Sequence, residues 1–286
     1  MKMTRKKPAP ASVVSRHMER AQASDYSPVI TLVGFPQVGK SALLEQLKPA
    51  GMLEELPGIY MLGCNTEQEA GAYDKLLGRG KYAPAGIVAV VDAAALDRQL
   101  YLAFQLIDLR LPLVLCLTGR AAATNAGITV DTRRLAEMTG VPVFVVPDEV
   151  DAAREAIVQW QTKTEDTPRK RPDHWRPSVA LADAYQHLDT TWIHKHLHLY
   201  TGARLVEGLR LLTVPKAVEE YEAHPAYKSL LRALDESRKM LEDKQEKWTT
   251  AEVVQRSKWI GQLLQAVVTQ STPPPPARNW FQKLFD

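Results

Sequence analysis

Short unbroken apolar runs recur through the first half of the chain, at Val29–Val33, Ile87–Val91, Leu113–Leu117 and Val141–Val146. A run of this length without polar alternation marks a strand covered on both faces. Between the runs the period changes. Leu96, Leu100, Phe104, Ile107 and Leu111 recur at helical spacing on one face, and Asp131–Thr139 and Val150–Trp160 also read as helices. Strand–helix alternation from Pro28 to about Gln161 predicts an α/β fold, a mainly parallel sheet flanked by helices.

Lys163–Pro177 breaks that pattern with Pro168, Pro172, Pro177 and the basic cluster Arg169-Lys170-Arg171. Its composition marks a domain boundary. Beyond it the period is helical: Leu181, Tyr185, Leu188 and Trp192 share a face, as do Tyr227, Leu230, Leu231 and Leu234. Val253, Ile260, Leu263, Leu264 and Val267 make a third. With breaks at Pro215 and Pro225, this predicts an all-α bundle of about four or five helices. Pro273–Pro276 reads as a stiff extended spacer. Trp280, Phe281, Leu284 and Phe285 then fall on one helical face. That is much aromatic surface for a free terminus: the tail folds back on the bundle, lies at a membrane interface or docks on a partner. The predicted organisation is an arm (1–27), an α/β domain (28–162), a linker (163–177), a helical domain (178–271) and a spacer with tail (272–286).

Composition narrows the classes. Of 286 residues, 45% are apolar, which excludes wholesale disorder. No apolar run approaches the ~18–20 residues of a membrane-spanning helix. Cys64 and Cys116 are too few for a disulfide framework and lack metal-ligand spacing, so a reducing compartment is expected. Within residues 1–20, Lys2, Arg5, Lys6, Lys7, Arg16 and Arg20 face a single acid, Glu19, an excess that is larger than the whole formal charge of +3. The body is not basic and gives no case for nucleic-acid binding. The arm has no apolar core segment and is not a secretory signal. It reads as a solvated, disordered extension, or as a segment drawn to an anionic membrane surface.

The sharpest chemical signal is Gly34-Phe35-Pro36-Gln37-Val38-Gly39-Lys40-Ser41, which fits G-x-x-x-x-G-K-[ST] between a strand and a helix. Such a loop curls backbone N–H groups around a β-phosphate, and Lys40 adds positive charge between β and γ. Ser41 Oγ is the expected magnesium ligand beside the helix N-terminus. The fold expected is therefore P-loop NTPase-like.

Val91-Asp92-Ala93-Ala94-Ala95-Leu96-Asp97-Arg98-Gln99-Leu100-Tyr101-Leu102-Ala103-Phe104-Gln105-Leu106 resembles the V-D-A-x-x-L-[ED]-R-N-L-Y-L-x-x-Q-L run of the FeoB family. These are bacterial ferrous-iron transporters whose cytoplasmic N-terminal part is a GTPase. Gly34–Ser41, Leu56-Pro57-Gly58-Ile59-Tyr60 and Met138-Thr139-Gly140-Val141-Pro142-Val143 resemble further family segments. The helical half, with Ser257-Lys258-Trp259-Ile260, is similar to the domain that joins GTPase to membrane part. The resemblance covers residues 28 to about 285 and stops where the family's membrane segments begin. It implies a small-GTPase-type G domain followed by a helical bundle, and GTP or GDP with Mg2+ as ligand.

Departures from the family shape the expected mechanism. The guanine-reading N-x-x-D is matched by Thr118, Gly119, Arg120 and Ala121. Thr118 offers one hydrogen bond and Ala121 none, a loss on the order of several kcal/mol of guanine discrimination. Val146-Pro147-Asp148-Glu149 replaces the Ser-bearing base loop. Only 14 residues separate Lys40 from Glu55. After the helix they cannot hold a switch loop with a magnesium-binding Thr plus two strands; at ~3.3 Å per residue they make one crossing. Glu55-Leu56-Pro57-Gly58 stands where the family has Asp-x-Pro-Gly, and Glu54 beside it permits a register shift. Glu55 reads as a solvated loop acid, or as a contact to a metal shell.

The expected ligand-binding residues are Gly34, Phe35, Pro36, Gln37, Val38, Gly39, Lys40, Ser41, Glu55, Gly58 and Thr118, with Ser41 on the metal and no catalytic residue assigned. Elsewhere, His187, His194 and His198 share a face without a carboxylate or cysteine at ligand spacing, and read as a polar flank. Asp92, Asp97 and Arg98 read as helix-start electrostatics, and Cys116 as an inert core thiol. The expected function is a pseudo-GTPase, a binding or regulatory module linked to ferrous-iron transport or a membrane partner. It would be cytoplasmic, or peripheral at the inner face of the membrane. Weak binding of GTP/GDP or ATP/ADP with Mg2+ is expected. The alternative is an active GTPase or ATPase with a non-standard base site; a third reading is an interaction protein without nucleotide.

Overall fold

The computed structural model describes residues 29–50, 52–62, 67–79, 84–162 and 175–270. The basic arm, nearly all of the linker, and the Pro-rich spacer with its aromatic tail lie outside the described residues.

The apolar runs form the central sheet. β1 (Ile30–Gly34), β3 (Gly86–Asp92), β4 (Leu113–Thr118) and β6 (Val143–Val145) take the expected places, and β2 (Leu53–Glu55) adds an edge. The order is β2-β1-β3-β4-β6 and every pairing is parallel. Alternation sorts each strand between two cores. Ile30, Leu32, Val88, Val90, Val114 and Cys116 face α1 (Lys40–Leu47) and α6 (Val150–Thr162) through Leu43, Leu47, Ala153 and Ile157. Val33, Ile87, Ala89, Val91, Leu113 and Leu115 face the opposite way.

That opposite face is covered by α2 (Glu67–Leu77) and α3 (Leu96–Asp108). The predicted stripe of Leu96, Leu100, Phe104, Ile107 and Leu111 is buried throughout. α4 (Arg120–Asn125), β5 (Ile128–Val130) and α5 (Thr132–Thr139) follow β4. Asp131 caps α5, its carboxylate accepting from the Arg134 N–H at 2.9 Å.

The later chain is helical: α7 (Val179–Leu188), α8 (Thr201–Thr213), α9 (Tyr227–Glu242) and α10 (Trp248–Val267). Leu181, Leu188, Trp192, Leu230 and Leu234 enter its core, whereas Leu231, placed on the same face by spacing, is exposed. The two halves do not keep separate cores. Ala203 and Val206 of α8 and Ile260, Leu263 and Val267 of α10 join the cluster built around Leu100, Phe104 and Ile107. β7 (Val268–Gln270) then pairs antiparallel with β5, Val130 opposite Val268. Neither short strand has a periodic signature, and the pairing joins segments far apart in sequence.

Two buried polar clusters stitch the halves together. Glu207 on α8 is fully buried. It accepts from the Tyr73 hydroxyl at 2.5 Å and the Tyr221 hydroxyl at 2.7 Å, and pairs with Arg79 and Arg210, each at 2.9 Å. Arg256 on α10 pairs with Asp108 of α3 at 2.8 Å and with Glu252 at 2.5 Å, beneath Trp175, whose indole N–H donates to Asp108. Buried, paired charges of this kind fix one arrangement of the elements that supply them.

Candidate functional site: the phosphate loop and its neighbours

β1 ends at Gly34, where space is tight: a β-carbon there would lie 2.4 Å from the Val90 carbonyl oxygen. The loop then turns through Gln37 (φ 59°) and Gly39 (φ 90°) into α1. Alternation of left- and right-handed residues is the conformation that turns successive N–H groups toward one centre. Pro36, Gln37 and Gly39 are exposed, Val38 is buried and Phe35 half-buried.

Lys40 is buried, and its ammonium donates to the carbonyls of Phe35 at 2.9 Å and Gly34 at 3.3 Å. Burial lowers its pKa from the ordinary lysine range, and the nearby Glu55 carboxylate opposes that shift. Ser41 is exposed in the first turn of α1. The two acids of β2 have different neighbours. Glu54 pairs with Lys75 of α2, leaving Glu55 as the acid within electrostatic reach of Lys40.

The segment after β2 lies on the loop. Leu56 N–H donates to Leu32 O at 3.0 Å and Ile59 N–H to Gly34 O at 3.1 Å. A β-carbon on Gly58 would come 2.6 Å from both the nitrogen and the α-carbon of Pro36. Tyr60 stacks edge-on against Phe35 with ring centroids 5.0 Å apart. Leu62 N–H donates to Gln105 Oε1 at 2.9 Å, tying the segment to α3.

Thr118 closes the other side. Its hydroxyl donates to the Val38 carbonyl at 2.9 Å, so it braces the loop. Gly119, with φ 69°, sits where a β-carbon would meet Asp92 Oδ1 at 2.2 Å. That same oxygen accepts from the Ala94 N–H at 2.9 Å, a capping role. Arg120 and Asp148 are ion-paired at 2.8 Å across the loops that follow β4 and β6. The sequence marked both positions as replacements in the base site but not as partners. Opposite charge in the two loops was the only available signal.

All the expected ligand-binding residues thus gather at the carboxyl end of the sheet, where α/β folds bind ligands. The histidines do not join them. His187 Nδ1 lies 2.9 Å from Ser237 Oγ, His194 and His198 are exposed, and among the described residues no group of three or more metal-ligating side chains forms. The Cys116 thiol is fully buried, which pushes its pKa up to about 12.

A parallel sheet whose first strand leads through such a loop into a helix, with a buried lysine on the loop carbonyls, defines a P-loop fold of the G-domain kind. Residues 49–159 match the family model FeoB_N, described as "Ferrous iron transport protein B". Over that segment the chain is similar to the N-terminal soluble part of the FeoB family. The Fe(2+) transporter FeoB of Staphylococcus aureus (strain COL) is 30% identical over 138 residues, 40% of this chain and 20% of that protein. Its counterpart in Legionella pneumophila (strain Lens) is 28% identical over 218 residues, 63% of this chain and 28% of that protein. The alignments therefore span between a fifth and under a third of these relatives.

Solved structures agree on the fold. A GDP-bound point mutant of the S. thermophilus FeoB G-domain has a TM-score of 0.68 at 19% identity, covering 85% of this chain and 100% of that one. The cytosolic domain of L. pneumophila FeoB has a TM-score of 0.62 at 21% identity, with 85% and 100% covered. NFeoB from S. thermophilus bound to GDP.AlF4- and K+ has a TM-score of 0.67 at 19% identity, with 84% and 100% covered. Among the described residues no helix is long and apolar enough to cross a membrane.

Proposed function

We propose that this chain is a FeoB-like pseudo-GTPase. It binds phosphorylated ligands weakly through Gly34–Ser41, does not turn them over usefully, and serves as a regulatory or binding module linked to ferrous-iron transport or a membrane partner. One observation carries this reading: α1 ends at Leu47 and β2 begins at Leu53. Lys48–Ala50 form a 3₁₀ turn within that crossing. The crossing leaves no length for a switch loop that would bring a threonine to magnesium and the γ-phosphate.

The residues present fit a phosphate group. Gly39 has the required backbone conformation, Lys40 faces only neutral carbonyls with Glu55 nearby, and the N-terminus of α1 adds its dipole. They do not complete a hydrolytic magnesium shell, for which Ser41 offers one neutral oxygen and Glu55 one carboxylate near the loop. A guanine base meets Ala121 where an acidic acceptor is needed. Direct phosphate contacts alone correspond to micromolar to millimolar affinity, about 4–8 kcal/mol. The domain boundaries at 28–162 and 178–271 belong to the same proposal.

The support from relatives is their names and ligands: Fe(2+) transporters by description, and G domains crystallised with GDP or GDP.AlF4- and K+. Purified protein with magnesium and GTP or ATP tests the reading through phosphate release. Release at background is expected. Turnover above background that disappears in Lys40→Ala would establish the active hydrolase instead.

A further inference from the structure

The phosphate loop is held on both sides by contacts within the chain. On the base side, the Thr118 hydroxyl is engaged with Val38 O, Gly119 is wedged against Asp92, and Arg120 is paired with Asp148 across the two base loops. On the γ side, Ile59 N–H is engaged with Gly34 O, Gly58 is in contact with Pro36, and Tyr60 is stacked on Phe35. Between them lies the cradle itself, with positive-φ Gln37 and Gly39, buried Lys40 and the start of α1.

From this arrangement we infer that the ligand of the loop is the diphosphate group as such. The site reads a pyrophosphate unit and neither the base on one end nor a third phosphate on the other. The inference rests on the phosphate-binding reading above and names its ligand class. A cradle of backbone N–H groups and one ammonium recognises bridging and terminal phosphate oxygens whatever is esterified to them. Discrimination between bases requires a buried polar partner that the wrong base leaves unpaired, and Ala121 supplies none. Discrimination for a γ-phosphate requires a segment with two arrangements that the phosphate biases. Residues 56–62 already hold the loop through Leu32, Gly34, Pro36 and Phe35, and α3 through Gln105.

Isothermal titration of the full chain with sodium pyrophosphate, GDP, ADP and a non-hydrolysable GTP analogue, each with magnesium, tests this. Dissociation constants within about threefold of one another are expected. In Arg120→Ala, opening the exposed pair should tighten GDP and ADP together relative to pyrophosphate, by about threefold. GDP bound more than about tenfold tighter than ADP or pyrophosphate would overturn the inference, as would no binding of pyrophosphate. Pyrophosphate affinity unchanged in both Lys40→Ala and Ser41→Ala, each checked for folding by circular dichroism, would place binding elsewhere and also overturn it. Phosphate release from GTP and ATP, measured on the same protein preparations, separates the two proposals. Turnover defeats the pseudoenzyme reading whatever the affinities, and strong guanine preference without turnover defeats only this inference.

Discussion

Gly58 lies against Pro36 so closely that a β-carbon on it would come within 2.6 Å of the proline nitrogen and α-carbon. The contact is backbone on backbone, so neither side yields by a rotamer change. It seats the segment after β2 on the phosphate loop, with Ile59 N–H bonded to Gly34 O.

Gly58→Ala should therefore lift residues 56–62 from the loop. Overpacking of this kind costs about 1–3 kcal/mol, read as a lower urea midpoint with unchanged slope. Loss of the Tyr60–Phe35 contact reports the displacement: cross-peaks between the two rings in nuclear magnetic resonance spectra should disappear.

Glu207 makes folding pH-dependent. Burial alone would raise its carboxyl pKa, but Arg210 and Arg79 outweigh burial and hold it at about 2, against an ordinary 4.5. A depressed folded pKa gives stability that is fully present above about pH 4.5 and lost as pH falls toward 2, about 3 kcal/mol in all. Urea midpoints across that window should fall steeply in the native chain. In Glu207→Gln the fall should be shallower, from a starting stability lower by roughly 3 kcal/mol because Arg79 and Arg210 lose their shared partner.

Gly202 permits a close approach between the halves: a β-carbon there would lie 1.9 Å from the Leu109 carbonyl oxygen at the end of α3. Gly202→Ala should push α8 from α3 and cost more than about 2 kcal/mol, despite the gain in helix propensity of about 1 kcal/mol. Because Val206, Ile260 and Phe104 share one core, both halves should still melt in a single calorimetric transition at a lower temperature.

Cys116 should be silent while the chain is folded. Its thiol is fully buried, with a pKa raised to about 12, so almost no thiolate exists at pH 8. In a Cys64→Ser background, labelling with a disulfide reagent should be absent in buffer and reach one thiol per chain in denaturant. Labelling in buffer at the rate of a free thiol would contradict the burial.

What the sequence determined is what neighbouring residues determine. Unbroken apolar runs announced four strands of the main sheet, β1, β3, β4 and β6, because a strand buried on both faces needs no polar alternation; the edge strand β2 has no such run. Gly34–Ser41 announced the phosphate loop, since its turns, lysine and helix start are consecutive. Counting residues between Lys40 and Glu55 left length for one crossing from α1 to β2, an argument from contour length alone. The tertiary structure decided everything that joins distant segments. Tyr73, Arg79, Arg210 and Tyr221 meet on Glu207, β7 returns to pair with β5, Arg120 finds Asp148, and Thr118 braces Val38. None of these has a period or a local motif, because each depends on where packing brings two chain segments. That the later chain is helical was legible in its period; the core it shares with the sheet was not, because an apolar face on α8 or α10 carries no record of which surface covers it.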